Sequence, residues 1–576
     1  MFAPLCFPLV THARRGGWRQ NLGQAGAQAP RAPSRQALGL LKEWGDGFLS
    51  ARQVCWHSWL AVQDGEVTHP MLHRLASLYD PTNPHKGVSN RLLSLLEGAA
   101  LDSCIVPTGG TIVSHMVSPF RLVETLHAQW PGRFSALLGI DEAAILRFWT
   151  DMRTSAPDEF AEIRGRPGMR DLQPNQLGKV VPLTLHEDAG PFIKRSSVNI
   201  ISFNGLFSRA GEKVSQFPVA TFIKQGMLSS EQEQSLWNPI LAEFTRLAQE
   251  GVGGWRFVLL FAKGDMENRS VTWGLKSYNA AGEMCSECLA NRSDRPFTDL
   301  RADAAWRLTR LTTPQYCERS RIPLHPLLAC GFMWRYFTPL DCMHVCDSNG
   351  VMSIVAGSVL RHVISDPALG PNQDSRLGIL NSRLRSFYDS RPGVSKMPDI
   401  RVKNLTDERG WHVLHGPLVK AANTRNLSGF LVTLTDEFYS DSVDEHVQLM
   451  CRVCRAMHRF YQIIYSAGVV LGPGEQAELR RVLFRFGATF QRLRALAAER
   501  DVMAWQITPK VHAMQHFGDF GRVLNPRWVQ NYTEESHVGT VTAIWKRSAH
   551  GHYRANVQRL ALLKRLVSLY IRLEGV

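Results

Sequence analysis

Three short apolar runs in the middle of the chain have the pattern of β-strands. They cover residues 180–185, 197–203 and 217–223, and each is rich in β-branched or aromatic side chains. The first run leads directly into a polar stretch that contains Asp188. The pattern therefore predicts three successive strands, with an acidic residue at the end of the first.

A helix and a fourth strand are predicted next. Apolar residues recur at helical spacing across 232–250, and the glycine-rich residues 251–254 end this pattern. The run 255–261 predicts another strand, which leads into Gly264 and Asp265. The predicted order is strand, strand, strand, helix, strand, with one aspartate after the first strand and another after the fourth.

The regions on either side of this segment have helical periodicity. Residues 38–175 form a predicted helical region broken by Gly and Pro, and residues 350–520 are predicted to be almost wholly helical. The apolar positions assigned to one helix face of the first region are Leu137, Leu138, Ile140, Ala144, Ile145, Phe148 and Trp149. Candidate helices of the second region cover 351–364, 447–467 and 475–500.

The composition is that of a globular protein with an excess of positive charge. Of the 576 residues, 44% are hydrophobic and 20% are charged, which excludes disordered, collagenous and disulfide-rich classes. The net charge of +15 favours a polyanionic partner such as DNA. No apolar run reaches 18 residues, so we expect no membrane span.

One predicted helix, 475–500, concentrates positive charge on a face beside its apolar residues. Its arginines are Arg480, Arg481, Arg485, Arg492, Arg494 and Arg500. Such a face is either a solvated basic surface or a surface that contacts nucleic-acid phosphates.

Asp188 and Asp265 are candidate metal ligands because each follows an apolar strand that would hold its side chain at a sheet edge. Phosphodiester cleavage near neutral pH commonly uses two Mg²⁺ ions about 4 Å apart, held by carboxylates from distant segments. An aspartate after a strand is also a common turn or helix-cap residue. The motifs that follow Asp265 therefore decide whether the two aspartates are interpreted as metal ligands.

Cys285 and Cys288 have the spacing of two zinc ligands, and His344 in the motif Asp341-Cys-Met-His is a candidate third ligand. His325 and Asp341 are alternative fourth ligands. A closed site of this kind would be structural, because no position stays open for water. The alternative is a pair of buried free thiols.

His512 and His516 lie four residues apart on a predicted helix, a spacing that metal ligands also use. No glutamate follows His512 in the metalloprotease pattern. We interpret both histidines as polar helix residues near the core.

The order of these motifs resembles the DDE transposases of the CACTA (En/Spm)-like superfamily, and most closely the transposon-derived proteins abundant in some protist genomes. The resemblance extends over residues 185–539, nearly two thirds of the chain. The segments that carry it are 185–190, 263–267, 285–292, 341–344, 509–512, 525–526 and 534–539.

The resemblance implies a catalytic metal site of Asp188, Asp265 and Glu535, loaded with Mg²⁺ or Mn²⁺. Glu534 is an alternative to Glu535, and Glu267 is an alternative to Asp265. The activity implied is metal-dependent cleavage and transfer of DNA strands. DNA is the implied partner, a homo-oligomer is compatible with it, and the nucleus is the expected location, with an organelle as the alternative.

The fold implied is α/β: an RNase H-like core with a large all-helical insertion and a helical N-terminal region. The expected divisions are a basic, disordered leader, a helical region, the core with its Cys-x-x-Cys segment, the insertion, and a C-terminal helical part of the core. Their bounds are 1–37, 38–178, 179–345, 346–520 and 521–576.

Two other functions stay open at this point. A catalytically decayed or domesticated copy would bind nucleic acid without cutting it, which departures from the family pattern at Glu187 and Ser536 favour. A zinc-stabilised helical interaction protein would carry the Asp–Asp–Glu order by coincidence. Only the first two functions require Asp188, Asp265 and one of the two late glutamates to converge.

Overall fold

The structure is a computed structural model and describes most of the chain from residue 34 to residue 573. The residues in this span that it does not describe are 65–68, 85–87, 89–90, 93–100, 194–195, 225, 281, 418 and 549–553. Residues 1–33 of the expected basic leader also lie outside the described residues.

The described residues before 180 form seven α-helices and a small antiparallel sheet. The helices are α1 Arg35–Gly45, α2 Ala51–Gln63, α3 Pro70–Ala76, α4 Pro119–Gln129, α5 Pro131–Leu138, α6 Glu142–Ser155 and α7 Pro157–Arg164. Strands β1 (Ile105–Pro107) and β2 (His115–Val117) make up the sheet, which the sequence pattern did not predict. Three-residue strands are too short to produce a recognisable alternation.

The apolar face expected from Leu137 to Trp149 belongs to two helices rather than one. Helix α5 ends at Gly139, which has a left-handed backbone with φ of 71°. Glycine adopts this conformation without the steric penalty of a side chain. Asp141 then caps α6, because its side chain accepts a hydrogen bond from the Ala144 amide.

Four strands form a mixed sheet in the order β5-β4-β3-β6. They are β3 Val180–Ile193, β4 Ser196–Gly205, β5 Phe217–Lys224 and β6 Arg256–Lys263. The strand β3 pairs antiparallel with β4 and parallel with β6, and β4 pairs antiparallel with β5. The short helix α8 (Glu212–Ser215) lies between β4 and β5, and the longer helix α9 (Ser230–Gln249) connects β5 to β6.

The first long strand extends past its apolar run. We expected it to end near Asp188, but it continues to Ile193, whereas its parallel neighbour β6 stops at Lys263. Backbone pairing with β4 sustains the extension, and such pairing does not require apolar side chains. Asp188 is therefore a strand residue at the point where β3 loses its neighbour on one side.

The remainder of the chain is helical in most of its described part. Its helices are α10 Thr313–Glu318, α11 Pro326–Ala329, α12 Val351–Ser365, α13 Gln373–Asp389, α14 Ala421–Tyr439, α15 Glu445–Ser466, α16 Pro473–Glu499, α17 Pro509–Gln515, α18 Phe517–Phe520, α19 Tyr532–Ser548 and α20 Arg554–Leu573.

The described residues form two large apolar cores, one around the four-stranded sheet and one among the later helices. One contains the sheet, the N-terminal helices and α20, and the other contains the helices from α12 to α17. The mixed α/β class expected from the sequence is confirmed. Among the described residues, no helix combines the length and apolar character needed to cross a bilayer.

Candidate metal centres

The parallel pairing of β3 and β6 brings Asp188 and Asp265 to the same end of the sheet. In the register of this pair, His186 lies opposite Lys263, and each aspartate comes two residues later. Alternate residues of a strand face the same side, and neighbouring strands lie about 4.8 Å apart. The two carboxylates are therefore neighbours, although they are 77 residues apart in the chain.

Helix α19 supplies a third carboxylate to this end of the sheet. Glu534, in its first turn, forms an ion pair with Lys263, the last residue of β6, and both side chains are buried. Glu535 comes next and is partly exposed, with its Oε1 3.5 Å from Nε2 of His344. The structure thus places Glu534 in a structural ion pair and Glu535 beside Asp188.

Close packing of α19 against β3 depends on Gly190. A Cβ atom at this position would overlap the hydroxyl oxygen of Thr542 and would lie 3.2 Å from Cγ1 of Val538. Thr542 and Val538 both belong to α19, so only glycine lets the helix approach this far. The approach sets the distance between the strand that carries Asp188 and the helix that carries Glu535.

The three carboxylates are partly buried and repel one another. Burial raises the pKa of Asp188 well above its usual value, and the charges of Glu535 and Asp265 raise it further. Burial also raises the pKa of Glu535, although His344 and a hydrogen bond with Asp188 oppose this shift. A cation bound between these groups would relieve the repulsion.

His344 belongs to this carboxylate centre and not to the cysteine motif, which corrects its expected role as a zinc ligand. Its Nδ1 lies 2.5 Å from Oδ2 of the buried Asp341. Burial would lower the pKa of His344, but the hydrogen bond and charge of Asp341, followed by the charges of Glu535 and Asp265, raise it to about 9. Asp341 also accepts the backbone N–H of Asn531, one residue before α19, at 3.2 Å.

A network of hydrogen bonds that involves buried side chains connects Asp265 to Glu187 on β3. Its Oδ1 accepts the Asn268 amide at 2.6 Å, and the Asn268 side chain donates to the backbone oxygen of Glu187 at 3.1 Å. The Glu187 carboxylate accepts one hydrogen bond each from Trp273 and Asn199, both at 2.6 Å. Glu187 is therefore a structural residue on the opposite face of β3 from Asp188.

Glu267, the alternative to Asp265, has an exposed side chain. Asp265, two residues earlier, is the residue whose charge acts on Asp188.

A second centre contains Cys285, Cys288, His512 and His516, all buried, with one ligand atom of each within 4.8 Å of all the others. The Sγ atom of Cys285 lies 3.3 Å from Nε2 of His516, and the Sγ atom of Cys288 lies 3.4 Å from Nε2 of His512. The two Nε2 atoms are 3.2 Å apart. The cluster could bind a metal ion such as zinc.

These separations agree with a tetrahedral zinc site. Zinc bonds of about 2.3 Å to sulfur and about 2.0–2.1 Å to nitrogen imply S···N distances of about 3.5 Å and N···N distances of about 3.3 Å. Two thiolates and two imidazoles are a common structural zinc set. The donor set and these three separations are therefore compatible with Zn²⁺.

The protonation of the cluster also favours a cation. Burial would raise the pKa of Cys285, but a hydrogen bond from Cys288 and the two nearby imidazoles lower it well below its usual value. Burial and the neighbouring Cys285 raise the pKa of Cys288. The pKa values of the two thiols therefore shift in opposite directions, and a bound metal ion would favour deprotonation of both.

The histidines of this cluster are the functional residues that the sequence analysis missed. We interpreted His512 and His516 as polar helix residues, and we expected His344 with His325 or Asp341 instead. His325 caps α11 and packs on Trp237, whereas Asp341 holds His344. The spacing of four residues between the histidines was the available signal.

Buried ion pairs connect the cysteine segment to the carboxylate centre. Glu287, between the two cysteines, accepts Arg269 at 2.7 Å and Arg335 at 2.9 Å. Arg269 lies four residues after Asp265, and all three charged side chains are almost fully buried. These ion pairs therefore join the cysteine segment to the segment that follows Asp265.

Several arginines of helix α16 and of its C-terminal cap form ion pairs or ring contacts. Arg492 pairs with Glu445 at 2.9 Å and Arg500 pairs with Asp444 at 2.9 Å. Arg494 stacks on Trp411 at 4.7 Å. Two of the six arginines are therefore paired with carboxylates and a third lies over a ring, which agrees with a solvated face for this part of the helix.

Comparison with known proteins assigns no family to the chain. No protein-family model matches the chain, and no curated protein matches it significantly.

Proposed function

We propose that this chain is a transposase-like protein with an RNase H-like core, which cleaves and transfers DNA strands with Mg²⁺ or Mn²⁺ held by Asp188, Asp265 and Glu535. The observation that carries the proposal is the meeting of these three carboxylates at one end of the β3–β6 pair. They come from three separate parts of the chain, and coincidence would scatter them over different faces.

The topology supports the same proposal. Three antiparallel strands are followed by a helix and a fourth strand that pairs parallel with the first, and a late helix returns to the sheet. This is the arrangement that the sequence resemblance implies for the core. The helices from α12 to α17 lie between Asp265 and Glu535 in the chain and have their own apolar core, as an insertion would.

The residues of the centre would have distinct tasks. Two bound Mg²⁺ ions would activate water or a 3′-hydroxyl for in-line attack on phosphorus and would stabilise the leaving oxygen. Asp188 and Asp265 offer ligands from adjacent strands, and Glu535 offers one from α19. His344, oriented by Asp341, holds the Glu535 carboxylate from the opposite side.

We also propose that Cys285, Cys288, His512 and His516 hold a structural Zn²⁺. The four ligands close the coordination sphere, so no position is left for a reacting water. The ion would tie the segment after Asp265 to α17, which leads towards α19. Its task would be to keep Asp265 and Glu535 in register across a separation of 270 residues.

Nicking of supercoiled plasmid DNA by the full chain tests the catalytic proposal. The purified protein is assayed with Mg²⁺, with Mn²⁺ and with EDTA, beside Asp188→Asn and Glu535→Gln. Glu267→Gln is the matched control, because Glu267 is an exposed carboxylate two residues from Asp265. Metal-dependent nicking should disappear in the first two variants and persist in the control.

The alternative outcomes separate the competing functions. DNA retention without nicking, unchanged in all variants, would indicate a decayed or domesticated protein that only binds nucleic acid. Neither retention nor nicking would leave a zinc-stabilised interaction protein. A location in the nucleus is expected from the proposed function, with an organelle as the alternative, and a homo-oligomer is compatible with it.

A further inference from the structure

A cavity of about 340 Å³ lies beside the carboxylate centre, on a different face of α19. Its walls come from α19, α20, the residues after α1 and the short helix α8. Ser536 and Thr540 line it from α19, so it begins next to Glu535 in the chain. None of the residues assigned to either metal centre lines it.

The cavity is lined by more positive than negative charge. Lys213, Arg565 and Arg572 contribute three cationic groups, and Asp46 is the one carboxylate. Asp46 already forms an ion pair with Arg572 and accepts a hydrogen bond from the Ser568 hydroxyl. Two cationic groups therefore remain without a carboxylate partner within the described part of the chain.

Arg565 is the strongest indication of an anion-binding site. Its side chain is 3% exposed, and its Nη2 donates only to the backbone oxygens of Lys213 at 2.8 Å and Gln216 at 3.1 Å. Its Nε has no hydrogen-bond partner among the described residues. The nearby Asp46 carboxylate is already paired with Arg572, and a buried guanidinium without an ion pair of its own is costly, since such groups are normally paired.

Two further observations agree with an anionic ligand. His537 is buried in the cavity wall, and its Nε2 also has no partner among the described residues. Burial lowers the pKa of Arg565 to about 10, and Arg572 contributes to the shift while Asp46 opposes it. The cavity therefore presents guanidinium, imidazole, ammonium and hydroxyl groups to one small volume.

We propose that this cavity binds a phosphate group. Guanidinium groups donate pairs of hydrogen bonds to tetrahedral oxyanions, and the exposed Lys213 adds a charge where a ligand would enter. The phosphate would come either from a nucleic-acid strand or from a free phosphorylated small molecule. The volume is too small for a duplex, so the ligand would insert one phosphate or one nucleotide.

Binding of inorganic phosphate and pyrophosphate to the full chain tests the proposal. Affinity is measured by calorimetry at constant ionic strength, with chloride as the reference anion. Lys213→Glu should weaken binding by about tenfold or more, which is the usual worth of one charge-assisted hydrogen bond. Arg565→Gln should abolish it, and Lys213→Glu keeps the test valid if that buried substitution prevents folding.

The matched control is Lys403→Glu, which reverses an exposed lysine outside the cavity. Equal loss of affinity in Lys213→Glu and Lys403→Glu would overturn the proposal, and so would phosphate binding no stronger than that of chloride. A 5′-phosphorylated oligonucleotide that displaces pyrophosphate identifies nucleic acid as the source. Displacement by small phosphate compounds alone identifies a free ligand, and both results support the site.

The inference does not depend on the proposed catalysis. Phosphate binding that survives Asp188→Asn, together with an absence of nicking, would reject the metal-dependent activity and leave the cavity site standing.

Discussion

The buried ion pair between Lys263 and Glu534 should be the most sensitive single contact near the carboxylate centre. Its side chains are 5% and 2% exposed, and it joins the end of β6 to the first turn of α19. Oε2 of Glu534 has no partner among the described residues, so Lys263 is the main group that stabilises this charge. Lys263 donates one further, long hydrogen bond of 3.4 Å to the backbone oxygen of Gln530.

Lys263→Met removes the positive charge and keeps most of the side-chain volume. Glu534 then stays buried without a counter-charge, and the loss of one partner of such a pair costs about 3–5 kcal/mol. Replacing both residues, as Lys263→Met with Glu534→Leu, should recover much of this loss. The two substitutions together should therefore be at least about 2 kcal/mol less destabilising than the sum of the single ones.

Hydrogen exchange of the β6 and α19 peptides measures this cost where it arises, since whole-chain unfolding of a protein with two cores need not be two-state. The control is Lys396→Met, which removes an exposed ion pair with Asp389 and should cost less than about 1 kcal/mol. The prediction would be wrong if the effects of Lys263→Met and Glu534→Leu were additive. It would also be wrong if Lys263→Met destabilised the protein as little as the control variant does.

Three further predictions follow from the structure. Cys288→Ser or a strong chelator should remove zinc from the purified chain and lower the thermal midpoint of the protein. Co²⁺ in place of zinc should give the visible absorption of a tetrahedral S₂N₂ site. A chain isolated without zinc would contradict this prediction. Gly190→Val should displace α19 and reduce nicking by about 100-fold while DNA retention persists, because a shift of about 1 Å in a catalytic group can have this effect. Burial raises the pKa of Asp347 to about 7 against hydrogen bonds from Tyr461 and Tyr532. The unfolded chain then releases this proton at lower pH than the folded chain, so stability falls as pH rises from about 4 to about 7, and Asp347→Asn should remove roughly 4 kcal/mol of that fall in urea titrations.

The strands and long helices could be predicted because burial leaves a periodic pattern in the sequence. One shared core buries the apolar side chains of residues 180–185 in β3 and those on one side of α9, so both segments show a periodic apolar pattern. The polar extension of β3 to Ile193 and the break at Gly139 have no such pattern. The first depends on pairing with β4, and the second depends on one left-handed residue.

The candidate sites could be predicted only in part, for a related reason. Strand order alone places Asp188 and Asp265 together, because parallel neighbours end at the same edge. The partners of Cys288 were not assigned, since His512 lies 224 residues away and its spacing of four residues from His516 was the one local signal. His344 was assigned to the cysteines by motif order, whereas its tertiary neighbours are Asp341 and Glu535.

Iron-mediated cleavage of the backbone tests, without knowledge of the DNA target, whether Asp188, Asp265 and Glu535 hold one divalent metal centre as proposed. Fe²⁺ with ascorbate and peroxide replaces Mg²⁺, and mass spectrometry maps the cuts. We expect cuts close to all three residues, suppressed by excess Mg²⁺ and lost together in Asp188→Asn. Cuts at one segment alone, or cuts that Asp188→Asn leaves unchanged, would contradict it.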